Sequence, residues 1–240
     1  MKKEYAEESQ TLSLDSRFRF SCHNEISCFN TCCADINIFL MPYDILRMRR
    51  AMGMSSSEFL KNYTIPLLAE EGLPIVVLKM MEDKNKVCPF VKQDGCKIYH
   101  DRPWSCRMYP VFPSSEGGFF INGGNSCLGC KEDKLWTIEG WKKNQGIDIY
   151  DKMNESYEKI TLNDFFLKGN KLDPEKSKML YMACYDLDEF KKFLFETRFF
   201  DFNEVEKETY KKLRENEEEF LSFGYKWVRF DLFGEDTLRL

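Results

Sequence analysis

Nine of the ten cysteines in this 240-residue chain lie between residues 22 and 130. They fall into three groups: Cys22-x5-Cys28-x3-Cys32-Cys33, then Cys88, Cys96 and Cys106, then Cys127-x2-Cys130. Thiolates are soft, anionic donors that suit zinc, Cu(I) and iron–sulfur clusters. A free cysteine is often just a small apolar core residue. That explains one or two positions, not nine in one half of a chain. All nine are therefore candidate metal ligands. The short loops Cys28-x3-Cys32 and Cys127-x2-Cys130 let both sulfurs turn toward one ion, whereas Cys22 and the second group must be brought in by the fold. Neighbouring side chains in extended chain point apart. The Cys32-Cys33 step thus predicts either two metals or one ligand and one packing residue. Nine thiols can fill two four-coordinate sites with one left over, or one cluster of four with a second thiol site.

Zinc favours paired ligands two to four residues apart, and only two pairs comply. Spacings of five, seven and nine are no obstacle to an iron–sulfur cluster, whose irons offer separate corners. The reading favours iron–sulfur over zinc. Arg102 and Arg107 flank Cys106; an arginine there can lower a thiol pKa, offset cluster charge, or bind an anionic group. A structural ion pair with Asp44 or Asp101 is the alternative. Tyr99 and Tyr109 are expected to be core aromatics, with a donor role toward sulfur as the functional alternative. Arg102, Arg107 and Tyr109 are taken as the candidate cofactor-binding residues. His23 and His100 neighbour ligand cysteines but read more simply as exposed loop residues. Asp44 falls in the first turn of an expected helix, where the dipole favours a carboxylate. Cys184, beside Met179, Leu180 and Met182, reads as a core residue.

The elements that must position these residues are short in the first half and long in the second. Pro42 to Ala51 predicts a helix closed by Gly53. Ser55-Ser56-Ser57-Glu58 is a capping box opening a second helix through Tyr63. Ile75 to Met80 and Phe119 to Ile121 predict strands, with turns at 83–85 and 94–95. Asp173-Pro174 opens a helix to about Cys184. Asp188 to Phe199 and Asn203 to Phe223 carry helical periodicity, and Tyr225 to Phe233 reads as a strand or a tucked extension. The expected class is α+β, mainly α: an irregular cysteine-rich metal-binding domain over 16–135 with short strands, then a helical C-terminal region over 136–240 packed on it.

A formal charge of −5 gives no basic field for nucleic acid. No run approaches the roughly 20 apolar residues that span a bilayer. The polar start, residues 1–15, shows no apolar leader, so a cytoplasmic protein with reduced thiols is expected. The expected partner is a metal ion, with no nucleic acid and no membrane; a protein partner stays open. With two histidines, no Ser-His-Asp set is visible, and there is no phosphate-binding loop. Whether the chain is an enzyme is left open.

One longer pattern is more specific than any cysteine pair: Gly95-Cys96-Lys97-Ile98-Tyr99, Arg102-Pro103 and Cys106-Arg107-Met108-Tyr109-Pro110. Together with Phe20-Ser21-Cys22, Cys28, Cys32-Cys33, Ile38-Phe39-Leu40, Asp44 and Cys88-Pro89-Phe90, it resembles the YkgJ-type cysteine-cluster family, also called CxxCxxCC, over residues 18–113. The first group departs from the family's shorter spacings. The resemblance implies chelation of zinc or iron. Flagellin lysine-N-methylases look like distant relatives that carry an iron–sulfur cluster. The resemblance thus adds weight to iron and offers an iron–sulfur enzyme of protein or small-molecule modification as one alternative. An interaction module with structural zinc is the other.

Overall fold

The first structural elements form where the sequence supplies caps and β-branched runs. In the computed structural model, residues 11–124, 126–196 and 207–238 are described. Residues 1–10, the end of the helix expected over 188–199 and the start of the one expected from 203 lie outside them. Helices take about half of the chain and short strands form small sheets, the mainly α form of α+β that the sequence predicts.

β1 (Arg17–Arg19) and β2 (Phe39–Leu40) precede α1 (Pro42–Met52). Helix α1 starts with Pro42 in its first turn and closes at Gly53, whose φ of 64° lies in the left-handed region that favours glycine. Helix α2 (Ser56–Tyr63) begins where Ser55 Oγ accepts the Glu58 N–H at 3.2 Å. It runs directly into β3 (Thr64–Leu68), which pairs antiparallel with β4 (Pro74–Leu78); β2 covers the other edge of β4. Two hairpins follow, β5–β6 (Val91–Lys92 with Gly95–Cys96) and, after the short helix α3 (Trp104–Met108), β7–β8 (Val111–Pro113 with Phe119–Ile121). β9 (Leu135–Thr137) pairs with β1, so the first strand is held by a segment more than a hundred residues later.

Helices α4 (Ile138–Gln145), α5 (Asp148–Thr161), α6 (Asp164–Leu167), α7 (Pro174–Cys184) and α8 (Leu187–Glu196) then precede two more, Lys207–Glu215 and Glu217–Phe233. Here the sequence reading needs correction. The expected helix over 203–223 breaks at Asn216, and the expected strand or extension over 225–233 is the second half of a 17-residue helix. Asn216 is the cause: its side-chain oxygen accepts the Glu218 and Glu219 N–H groups at 3.0 and 3.1 Å. That cap restarts the helix with three glutamates in its first turn, where the dipole favours them.

Two apolar clusters organise the chain. The larger runs from Ile38, Tyr43 and Phe90 to Leu180, Phe190, Phe220 and Val228. The smaller gathers Phe18, Phe20, Met108, Val111, Ile138, Trp141 and Ile147. Both take residues from either side of residue 135. Arg49 and Arg50 of α1 also bind Glu217, which starts the last helix; the Arg50 contact is 2.6 Å. Burial pushes the Glu217 carboxyl up, but the Arg50 and Arg49 contacts and the nearby Lys191 outweigh it and bring it down to about 2. Among the described residues no helix is long and apolar enough to cross a membrane.

Candidate metal centre

The cysteines occupy loops and short elements that main-chain hydrogen bonds tie together in two places. Around Cys33, the turn Thr31–Cys33 follows Asn30, whose φ of 67° is left-handed. Asn30 Nδ2 donates to Lys92 O at 2.9 Å, fixing this loop on β5. The Cys88 N–H donates to Cys33 O at 2.8 Å, and Ala34 bridges Val87. Cys96 ends the β5–β6 hairpin opposite Val91. Cys106 sits in α3, and the start of that helix is anchored because Trp104 N–H donates to Asp44 Oδ1 at 2.8 Å. Cys33, Cys88, Cys96 and Cys106 all belong to or pack against the larger apolar cluster.

The second place joins the first and third groups. Ser21 N–H donates to Gly129 O at 3.0 Å, and Leu128 N–H donates to Cys28 Sγ at 3.3 Å. Cys127 and Cys130 pack against the smaller cluster. A Cβ at Gly123 would meet Cys130 Sγ and force that sulfur to move. Cys22 and Cys32 are exposed, and Cys28, Cys127 and Cys130 half-buried.

Electrostatics follows the same neighbours. Burial, then the charges of Cys88, Asp44 and Cys96, pushes the Cys106 thiol up to about 12, against the pull of Arg102. Burial also raises Cys88 and Cys96, but the main-chain N–H groups of Phe90 and Val91 face the Cys88 sulfur, and that of Ile98 faces Cys96, favouring the thiolates. In the other set, loss of hydration and then Cys32, Cys127 and Cys28 raise Cys22 to about 11. Burial, then Cys127 and Cys28, raises Cys130 to about 12. A metal-free chain therefore keeps these thiols protonated, and a metal would have to displace the protons.

Cys32 and Cys33 depart from the extended geometry expected of them. They lie in a tight turn, and their side chains share a hydrogen bond that eases ionisation of Cys32 and opposes that of Cys33. Cys33 also feels Cys88 and Cys106, whereas Cys22 and Tyr109 feel Cys32. The pair is thus the step at which the two sets meet. Among the described residues, no three or more His, Cys, Asp or Glu side chains are placed to hold a metal ion as they stand.

The flanking residues take definite places. Arg107 donates to the main-chain oxygens of Arg102 at 3.0 Å and Gln145 at 2.5 Å and to that of His100, with its guanidinium over the Tyr150 ring. Arg102 binds Tyr99 O at 2.5 Å and the Gln145 side chain, and stacks on Tyr99 with its guanidinium carbon 3.8 Å from the ring centre. Both arginines are buried and clamp the loop that carries Cys106, and Arg102 also draws the Cys96 and Cys106 thiols toward ionisation. Tyr99 is 52% exposed, not a core aromatic, because it lies flat under Arg102. Burial and then a hydrogen bond with Cys127 raise the Tyr109 hydroxyl; its ring packs on Phe20. His23 faces Glu132 at 3.3 Å, and His100 is exposed.

Two contributors escaped the sequence reading, Gln145 and Asp151, and Asp44 does more than stand in the first turn of α1. It does accept Met41 N–H at 2.9 Å, but it also reaches α3, and it is 1% exposed. Gln145 receives both arginines, and Asp151 accepts Trp104 Nε1–H at 2.7 Å. Nothing local marks the last two, since their partners are about forty residues away.

Comparison with known proteins adds one finding. A family model described as "CxxCxxCC: Putative zinc- or iron-chelating domain" matches residues 21–128, under half of the chain. No curated protein and no solved structure matches.

Proposed function

We propose, from the match of residues 21–128 to the family model of a zinc- or iron-chelating domain, that the chain is a metal-binding protein whose thiolates hold iron, as an iron–sulfur cluster. The observation that carries this is the all-sulfur character of the donor set. Four chain segments, around Cys28, Cys88, Cys106 and Cys127, bring thiols near enough to feel one another's charge. Both histidines are turned to other business: one pairs with Glu132 and the other is exposed. Sulfur alone is the natural donor set of a cluster.

The residues fit such a group in three respects. Main-chain N–H groups already face the Cys28, Cys88 and Cys96 sulfurs, as they must when those sulfurs carry negative charge. Arg102 places a buried positive charge beside Cys96 and Cys106, where several thiolates would otherwise repel. The thiols are neighbours and not yet a cage, so ligation draws them inward and couples binding to local ordering. Bound there, the cluster supplies redox or Lewis-acid chemistry. The protein's part is to supply thiolates, offset their charge and fix their spacing. Structural zinc is the competing occupant, because four thiolates also suit a tetrahedral ion.

The test is elemental analysis with a visible spectrum on anaerobically purified protein. Iron with acid-labile sulfide and a brown chromophore is the expected result. Colourless protein with stoichiometric zinc overturns the iron reading and keeps chelation. Folded protein without metal and with free thiols overturns both.

A further inference from the structure

We propose that the nine thiols build two separate metal centres meeting at the Cys32-Cys33 step. The closed centre is Cys33, Cys88, Cys96 and Cys106. The open centre is drawn from Cys22, Cys28, Cys32, Cys127 and Cys130. This rests on the chelating function above and adds the number of centres and the division of ligands.

Packing makes the first argument. Cys88 lies inside the larger apolar cluster, with Cys33, Cys96 and Cys106 against it, whereas Cys127 and Cys130 pack on the smaller one. The two sets thus rest mainly on different cores, which α3 joins through Trp104 and Met108. Main-chain ties make the second. Cys88 N–H binds Cys33 O, while Leu128 N–H binds Cys28 Sγ and Ser21 N–H binds Gly129 O. These ties run within a set, whereas Asn30 Nδ2, between Cys28 and Cys32, crosses to Lys92 O on β5 beside the step at which the sets meet.

Number makes the third argument. Four thiolates complete a tetrahedral ion or the corners of one cluster. The closed set has four, none of them exposed. The open set has five, with Cys22 and Cys32 exposed and Tyr109 hydrogen-bonded to Cys127. One donor beyond four leaves the open centre a spare thiol at the surface, where an incoming ligand can reach it. The closed centre is fitted to hold structure; the open one is fitted to exchange.

The experiment uses the full chain, stripped of metal under reducing anaerobic conditions, with zinc(II) as the probe. Bound zinc is counted, and free thiols are mapped by alkylation and mass spectrometry at each step. Two zinc ions per chain are expected. At one equivalent, protection should be confined to one set while the other still reacts. The double variant Cys127→Ser/Cys130→Ser should keep one zinc, with Cys33, Cys88, Cys96 and Cys106 protected. A single ion that protects thiols of both sets together overturns the division while leaving chelation intact. So does a double variant that stays folded and binds none. A chain that binds no zinc and, on reconstitution, no iron overturns the chelating function itself. The footprint on the unaltered chain does not depend on any variant folding.

Discussion

The thiols around Cys88 and those around Cys127 carry the same chemical group in different surroundings: the first set is half-buried to buried, the second half-buried to exposed. The first set lies on the larger core beside the arginine clamp; in the second, Cys127 and Cys130 pack on the smaller core and Cys22 and Cys32 are exposed. A ligand inside a core is positioned by everything packed on it, so losing the metal there leaves unpaired polar groups among apolar side chains. A ligand at the surface can lose its metal to water with little consequence. On the two-centre proposal, burial would separate a metal that shapes the fold from one that can come and go.

Stepwise removal of metal is the strongest way to break that comparison. A weak chelator should empty the open set first and leave the melting temperature almost unchanged. A strong chelator should then empty the closed set and lower it. A ligand at a thousand times its dissociation constant stabilises by about 4 kcal/mol, so the second step should cost roughly 8 °C in a chain of this size. Differential scanning calorimetry alongside metal counting reads both steps. Equal falls in melting temperature for the two steps would erase the distinction between closed and open.

How much of this was legible in the sequence depends on range. Local signals carried well: Pro42 with Gly53, the Ser55 cap and the Asp173-Pro174 start all mark real helix ends. Composition and spacing also singled out the nine thiols. What stayed hidden was pairing across distance. Nothing near Arg19 announces Leu135 as its strand partner. Nothing in Cys28 announces Leu128. Local misreadings had local causes: a single asparagine divided an apparently continuous helical pattern at 216, and aromatic residues over 225–233 suggested a strand where a cap decided for helix. Tyr99 misled because an aromatic beside a motif is usually buried, whereas here an arginine covers one face and water the other.

Asp44 sharpens the comparison from outside the thiols. It joins α1 to α3 through two N–H groups, those of Met41 and Trp104, at 2.9 and 2.8 Å. Burial raises its carboxyl to about 6 against the pull of those bonds and of Arg107. Removing it strands two half-buried donors, each worth about 1–3 kcal/mol at most, so Asp44→Ala should cost roughly 2–3 kcal/mol in urea unfolding. Because α3 carries Cys106 and none of the open set, metal affinity should fall at the closed centre alone. The readout is the thiol footprint at limiting zinc: Cys127 and Cys130 should stay protected while Cys106 becomes reactive. Loss of protection in both sets would show that the two centres are one mechanical unit.

The smallest effect on metal belongs to the tenth cysteine. Cys184 ends α7, is 0% exposed and belongs to the larger cluster, as the closed set does. Its neighbours in charge are the tyrosines, Tyr157, Tyr185 and Tyr225, and not the other thiols. Burial alone pushes its thiol up. A serine there exchanges a weakly polar sulfur for a hydroxyl among apolar groups, which costs about 1–3 kcal/mol when no partner is found. Cys184→Ser should therefore lower stability by that order and leave the count of bound metal unchanged. The contrast matters because Cys184 shares a core with Cys88. If burial in that core were what recruits metal, both cysteines would matter to it. If the loop N–H groups that face Cys88 and Cys96 recruit it, only those two would, since Cys184 lies at the end of a regular helix. Metal analysis of the folded variant decides between them, and a drop in bound metal would add a ligand from the helical half to the closed centre.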